Sequence, residues 1–349
     1  MDLYELRRQD YTVEEIGQEV LVAFGEFFSD QCPTSVVRAA EPLGFDQNLW
    51  DRLVEMGTTT MGLPESAGGD GAGVGVLALV AEEFGRAVAP VPYIEHVVTS
   101  RALAAASNPA LDQVLAGAAD GSHIVALASF PIQPGTKQLV PAGAVAKSVL
   151  GLAGDDLVLY TVEASPAHVR NQGHTPLAWW DFDSVGDRIV VASGATARKI
   201  FTRAHDERMV LMASALVGMT ESALALTVEF TKTRETMGVL ISTLQGVAFP
   251  LTDIATNIAG ARNVARKAAW FLDNKPDERP DLPAIAMVYS SQTATHGTTN
   301  AAHFQGGLGF TLEADVSLYF LRSKGWSALA GDPSAHLVDI GDHVLATAN

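Results

Sequence analysis

Three patterns of apolar and polar positions follow one another along the chain. From residue 12 to 118 the apolar residues recur at helical spacing. VEEIGQEVLVAFGEFF sets Ile16, Val20, Val22, Phe24 and Phe27 toward one side, and VGVLALVAEEFGRAV does the same with Leu77, Val80, Phe84 and Val88. Between them GLPESAGGDGAG carries Pro64 and a cluster of glycines, which predicts a sharp connection. Gly69, Gly71 and Gly73 form a G-x-G-x-G run, but no strand precedes it, so the spacing predicts a turn and not a phosphate loop. Pro90 and Pro92 stop the next helix, after which SRALAAASNPALDQVLAG resumes helical spacing.

Between residues 119 and 200 the pattern changes to short β-branched runs, HIVALASF, DDLVLYTVEA and DRIVVAS, separated by Gly, Pro, Asn and Asp. This predicts a small antiparallel β domain. Helix is expected to return at about Glu207, where the segment to residue 272 predicts two long helices. PAIAMVYSSQTATHGTTNAAHFQ and LEADVSLYFLRSKGWSALAG add two more, and antiparallel neighbours on short loops make a four-helix bundle. The expected fold is mainly α with a central small β domain: an N-terminal helical domain over 1–118, a middle β domain over 119–200 and a C-terminal four-helix bundle over 201–349.

Charge and composition narrow the chemistry. The 349 residues carry 40 Asp+Glu against 23 Lys+Arg, a formal charge of −17, which argues against phosphate-backbone binding and so against a nucleic-acid partner. With 48% hydrophobic and 18% charged residues, the chain has enough apolar side chain to offset the entropy of ordering. Cys32 is the single cysteine, so no intrachain disulfide or cysteine-based metal cluster can form, and a reducing, cytoplasmic setting is expected. His168 and His174, like His336 and His343, lack the spacing of metal ligands. The charged start MDLYELRRQDYTVEEIGQEV does not read as a secretory signal, and no uninterrupted apolar run of about 18 residues is recognised, so a soluble protein is expected.

Three local signatures carry more specific information. They are LW-x2-L-x2-MG-x4-MGLPESAGGDGAG with the following EEFGR and AP-x-P, then ALVGMTESALALTVEFTKTRETMG with LQGVAFPLTDI, and FQGGLGFTLEADVSLYFLRSK. In this order and spacing the chain resembles the acyl-CoA dehydrogenase family, most of all its short actinobacterial-type subunits. The resemblance implies FAD as cofactor, an acyl-CoA thioester as substrate and α,β-dehydrogenation to the 2-enoyl-CoA, with each FAD shared between two subunits. It assigns Arg234 to the FAD pyrophosphate, a role suited to a permanently charged donor fork. Met237 stands where the family usually has Phe beside the cofactor, Gln245 matches a family glutamine, and His303 stands where glutamine is usual, with Gln305 two residues on. Gly306 and Gly307 match a glycine pair that approaches the adenosine end.

The same resemblance exposes what this sequence lacks. The position of the catalytic glutamate near the C-terminus falls on Gly331, with Asp332 adjacent. The alternative position at the start of the first long helix falls on Arg208, which leaves Glu207 as the one candidate base. A structural carboxylate at a helix N-terminus is the competing reading of Glu207. The flavin-contacting E-P-x-A-G-S-D segment is replaced by VALASFPIQPGTKQLV, and the W-I-T type strand is not recognisable in AVAKSVLGLAGDD. The adenosine half of the FAD site is kept while the flavin half is not. Three readings follow: a partner subunit that completes the FAD site of a homologous catalytic subunit in an α2β2 complex, with a steroid-derived acyl-CoA as implied substrate class; a self-sufficient homo-oligomer using Glu207; or a scaffold subunit that binds neither FAD nor CoA.

Overall fold

The structure is a computed structural model that describes residue 11 and residues 13–347. The first ten residues, on which the signal-sequence reading partly rests, lie outside the described residues. Six helices come first: α1 (Glu15–Gln31), α2 (Thr34–Ala39), α3 (Gln47–Glu55), α4 (Val74–Arg86), α5 (Tyr93–Ala105) and α6 (Asp112–Ala119). In α4 the expected face is the buried one, with Leu77, Val80 and Phe84 in the core, and Val88, just beyond the helix, is buried too. In α1 it is not: Phe24 and Phe28 are buried, whereas Ile16 and Val22 are exposed. Val22 is two residues, about 200°, from Phe24 around the helix, so both cannot face α4. Helix α5 is buried almost all round from Tyr93 to Leu103, which makes it the central rod of the N-terminal half. It starts immediately after Pro92, earlier than the SRALAAAS segment suggested.

The glycine-rich connection is a turn, as its spacing predicts. Gly68 and Gly71 take left-handed backbone (φ 78 and 69), and the amides of Val74 and Gly75 at the start of α4 both donate to the Asp273 carboxylate at 2.8 Å. The anion at this helix N-terminus is thus the protein's own.

Six strands follow: β1 (Val125–Leu127), β2 (Lys137–Val140), β3 (Ser148–Ala153), β4 (Asp156–Thr161), β5 (Ala178–Asp181) and β6 (Asp187–Ser193). One sheet has the order β1-β3-β4-β6, and β2 pairs with β5 apart from it. The β3–β4 and β4–β6 pairs are antiparallel, but β1 and β3 run parallel, with Val125 opposite Ser148. The wholly antiparallel expectation is therefore corrected. Strand β3 lies within the AVAKSVLGLAGDD stretch; it is buried from Ser148 to Gly151, so it carries a short apolar run without the alternation that marks a half-exposed strand.

The long helix α7 (Gly194–Thr233) begins at Gly194 and not near Glu207. Its first turns are polar, yet Ala197, Phe201 and Ala204 are buried against the sheet side at helical spacing. By length and composition α7 is apolar enough to cross a membrane even though charges such as Glu221 interrupt its apolar run; most of that stretch is buried in the fold. A hairpin of β7 (Glu235–Thr236) and β8 (Val239–Leu240) leads to α8 (Gln245–Asn274), α9 (Leu282–Phe304) and α10 (Val316–Trp326). A further helix, α11 (Pro333–Thr347), packs on α9 and was not anticipated. Helices α4 and α7 cross through paired glycines. A Cβ on Gly85 would overlap the Ala215 carbonyl, and one on Gly218 would overlap that of Glu82.

Candidate functional site

Two regions concern the chemistry implied by the sequence: one end of the bundle, open to solvent, and a buried junction between α5, α7 and the loop after β1.

At the bundle end, Val228 of α7, Val247 of α8 and Phe304 of α9 pack into one apolar cluster, so the C-terminus of α7, the start of α8 and the end of α9 meet. Arg234 caps α7 and is exposed, with no ion-pair partner among the described residues. The turn after it carries Met237 and Gly238 at positive φ (50 and 75), the conformation that a two-residue hairpin loop requires; Met237 is 98% exposed. Gln245, the first residue of α8, is exposed, as are His303, Gly306 and Gly307. Above Gly306 and Gly307 an added Cβ would meet nothing within 4 Å. Gln305 differs: it is buried and donates from Nε2 to Thr227 Oγ1 at 3.2 Å, which ties α9 to α7. The six candidate cofactor residues are therefore all open to solvent. Arg234 is an unpaired guanidinium among the described residues, and Gly306 and Gly307 expose bare backbone. Phe249 near the start of α8, and Leu308, Phe310 and Leu312 after α9, are exposed apolar side chains, Leu312 at 74%.

The buried junction is differently built. Arg208, the residue at one counted base position, is 1% exposed, and its Nε lies 3.2 Å from Glu95 Oε1. Burial raises the Glu95 carboxyl above the usual carboxylate range, with Arg208 opposing it, and burial lowers the Arg208 guanidinium, with Glu95 opposing. The contact is an ion pair without well-aligned hydrogen bonds, since both Glu95 oxygens and Nε and Nη1 of Arg208 lack a hydrogen-bond partner. From the loop after β1, Ser129 Oγ accepts a long 3.5 Å bond from Arg208 Nη2. The segment that departs from the E-P-x-A-G-S-D pattern thus abuts a buried cation. Strand β3 departs too, since Ser148 Oγ lies 2.8 Å from both His123 Nε2 and Thr161 Oγ1 and is turned into the domain.

Glu207 occupies neither region. It lies in the interior of α7, so its placement at a helix N-terminus is corrected by the earlier start of that helix. Its Oε2 accepts from Arg101 Nε at 2.8 Å and its Oε1 from Arg203 Nε at 2.7 Å. Both carboxylate oxygens are therefore taken up by guanidinium donors. Next to it, burial pushes the Asp206 carboxyl up to about 7, with Arg203 opposing and Glu207 adding. At the other counted base position Gly331 has φ 109, and Asp332 Oδ1 accepts from Ser334 N at 2.9 Å as a cap of α11. Among the described residues no group of three or more potential metal ligands comes together.

Sequence reasoning overlooked Glu95. It sits in a helix whose apolar pattern is nearly continuous, and only the tertiary contact with Arg208 singles it out.

The chain is mainly helical, with a small β domain between the N-terminal helices and the C-terminal helix bundle. Residues 15–122 match the acyl-CoA dehydrogenase N-terminal domain and residues 198–345 the C-terminal domain, and the chain belongs to the acyl-CoA dehydrogenase family, oxidoreductases that act on CH–CH bonds. It is 27% identical over 328 residues to the acyl-CoA dehydrogenase IpdE2 of Mycolicibacterium smegmatis, covering 93% of this chain and 96% of that relative. A variant of the Tcur3481–Tcur3483 steroid ACAD superposes with TM-score 0.86 and 25% identity, over 96% of this chain and 99% of that one. The ChsE4–ChsE5 complex from Mycobacterium tuberculosis shares the fold, with TM-score 0.87 and 24% identity over 97% and 99%.

Proposed function

We propose that this chain is the partner subunit of a heteromeric acyl-CoA dehydrogenase, which completes the FAD site of a homologous catalytic subunit in a cytoplasmic α2β2 complex. In this reading residues 1–118, 119–200 and 201–349 are the family's three domains. Arg234, Met237, Gln245, His303, Gly306 and Gly307 then form the cradle that meets the adenosine diphosphate half of FAD, the cofactor that family members bind. When bound, FAD supplies the hydride acceptor. This chain supplies a charge fork for the pyrophosphate at Arg234, bare backbone at the glycine pair, and an apolar rim that needs covering.

The observation that carries the reading is the Arg208–Glu95 pair. A buried cation stands where a base would be needed, while Glu207 is committed to Arg101 and Arg203. A steroid-derived acyl-CoA as the substrate class of the complex is supported by the likeness to the Tcur3481–Tcur3483 steroid ACAD.

The test is to purify the chain alone and together with a homologous subunit that carries an intact base, and to measure visible flavin absorbance per polypeptide. Flavin only in the joint preparation, lost on Arg234→Ala, is the expected result. Yellow protein from the single chain, bleached by an acyl-CoA and inactivated by Glu207→Gln, would overturn it in favour of the self-sufficient enzyme. A colourless complex would leave only the scaffold role.

A further inference from the structure

A cleft of about 830 Å³ opens between the glycine-rich 62–73 connection, α5 and the first turns of α7. Neither Arg234 nor the Gly306–Gly307 turn lines it. Its volume lies within the range of small-molecule sites. One wall is smooth and apolar: Val98, Ala102 and Ala204 are buried there, with Ile200 and Ala105 toward the mouth.

The polar end is built and rigid. Arg101 Nη1 donates to the carbonyls of Gly62 (2.6 Å) and Ala72 (3.0 Å), which clamps the connection to α5. Arg203 Nη1 donates to the Leu272 carbonyl at 2.6 Å, which ties α7 to the end of α8. Both guanidiniums also share Glu207, and Arg203 Nη2 lies 3.9 Å from Asp273 Oδ1. The other lining carboxylate, Asp273, is taken up by the amides of Val74 and Gly75. Lys199 lies exposed at the mouth and makes no ion pair among the described residues. Three cations against two committed carboxylates leave a local positive excess, on a chain whose formal charge is −17.

From this juxtaposition we propose that the cleft binds a compact anionic amphiphile: a rigid apolar body against Val98, Ala102, Ile200 and Ala204, with one carboxylate or sulfonate facing Lys199 and Arg203. A cationic or zwitterionic ligand finds no free carboxylate in the cleft, and an uncharged one leaves the excess charge unused. The site stands whether or not the chain carries flavin.

The test is calorimetric titration of the full chain with 2-naphthoate and, separately, with 2-naphthylmethylammonium, which matches it in shape and reverses its charge. The naphthoate is expected to bind at least about tenfold more tightly and to weaken with added salt. Lys199→Glu, at an exposed position, should lose about tenfold in naphthoate affinity, and Ala105→Trp, which fills the mouth, should abolish binding. Val338→Ser, at an exposed position of α11 away from the cleft, should leave the naphthoate affinity unchanged. Equal affinity for the two probes, no naphthoate heat, or an unchanged affinity in Lys199→Glu would each overturn the proposal.

Discussion

Arg208 Nε faces Glu95 Oε1 across 3.2 Å, and neither residue reaches solvent. An ion pair so buried must offset a large desolvation cost, and this one does so without satisfying the remaining donors and acceptors. Removing one partner strands the other charge. Arg208→Met or Glu95→Gln alone is expected to lower unfolding stability by about 3–5 kcal/mol, while the double variant recovers most of the loss. Urea unfolding of the four proteins in a double-mutant cycle measures this. If the single variants are as stable as the parent, the pair is not buried as described.

The crossing of α4 and α7 gives a second prediction. Gly85 and Gly218 each approach a carbonyl of the opposite helix so closely that a Cβ would overlap it, and neither has positive φ. The constraint is space and not backbone conformation. Gly218→Ala should therefore destabilise by more than the ~1–3 kcal/mol of ordinary overpacking, whereas alanine at Gly246, where a Cβ meets nothing within 4 Å, should be close to neutral or slightly stabilising. Thermal melts of the two variants separate these outcomes.

Stability should depend on pH in two opposing ways. His96 is fully buried; its Nε2 lies 3.0 Å from the Ala118 carbonyl and its Nδ1 accepts a 3.4 Å bond from Val125 N, an arrangement only the neutral ring provides. Burial lowers its pKa to about 4 and that of His205 to about 3. Both therefore contribute stability that is present above about pH 6.5 and is lost as the pH falls toward 4 and 3, on the order of 3 kcal/mol for His96. Asp206 has the reverse sign: with its pKa raised to about 7, its contribution is present below the ordinary carboxylate pKa and is lost as the pH rises through 7. Denaturant midpoints from pH 4 to 8 should show a maximum between these limits. Asp206→Asn should flatten the high-pH side alone.

The apolar rim at the bundle end predicts association. Phe310 and Leu312 are 56% and 74% exposed, close in sequence to exposed Leu308, and contiguous exposed apolar surface of this kind often marks an interaction site. Phe310→Asp combined with Leu312→Asp should reduce subunit association in analytical ultracentrifugation and leave the unfolding free energy of the isolated chain within about 0.5 kcal/mol of the parent. An unchanged sedimentation profile would show that this face is not the interface.

The motifs gave away the bundle end because its parts lie close together along the chain. TKTRETMG holds both the helix cap at Arg234 and the turn at Met237, and FQGGLG holds the bare backbone of Gly306 and Gly307. Spacing within such a segment fixes which residues face the same way. The start of α7 was not legible, since ATARKIFTRAHD is polar on most of its surface and its few core residues take their meaning from the sheet beneath. That shift alone changes Glu207 from a helix-start carboxylate into the centre of a two-arginine clamp. Strand β3 and its parallel pairing with β1 escaped for a related reason: a short strand buried on both faces has no alternation to read.

By itself the sequence determined the family and the order of helix, sheet and bundle, because helical periodicity and contiguous motifs are local properties of the chain. The tertiary structure alone decided that Arg208 meets Glu95 across α5 and α7, that Arg101 and Arg203 converge on Glu207, and that Asp273 caps a helix far away in sequence. Each is an electrostatic pairing between distant segments. Its strength depends on distance and burial, and neither is defined until the chain has folded.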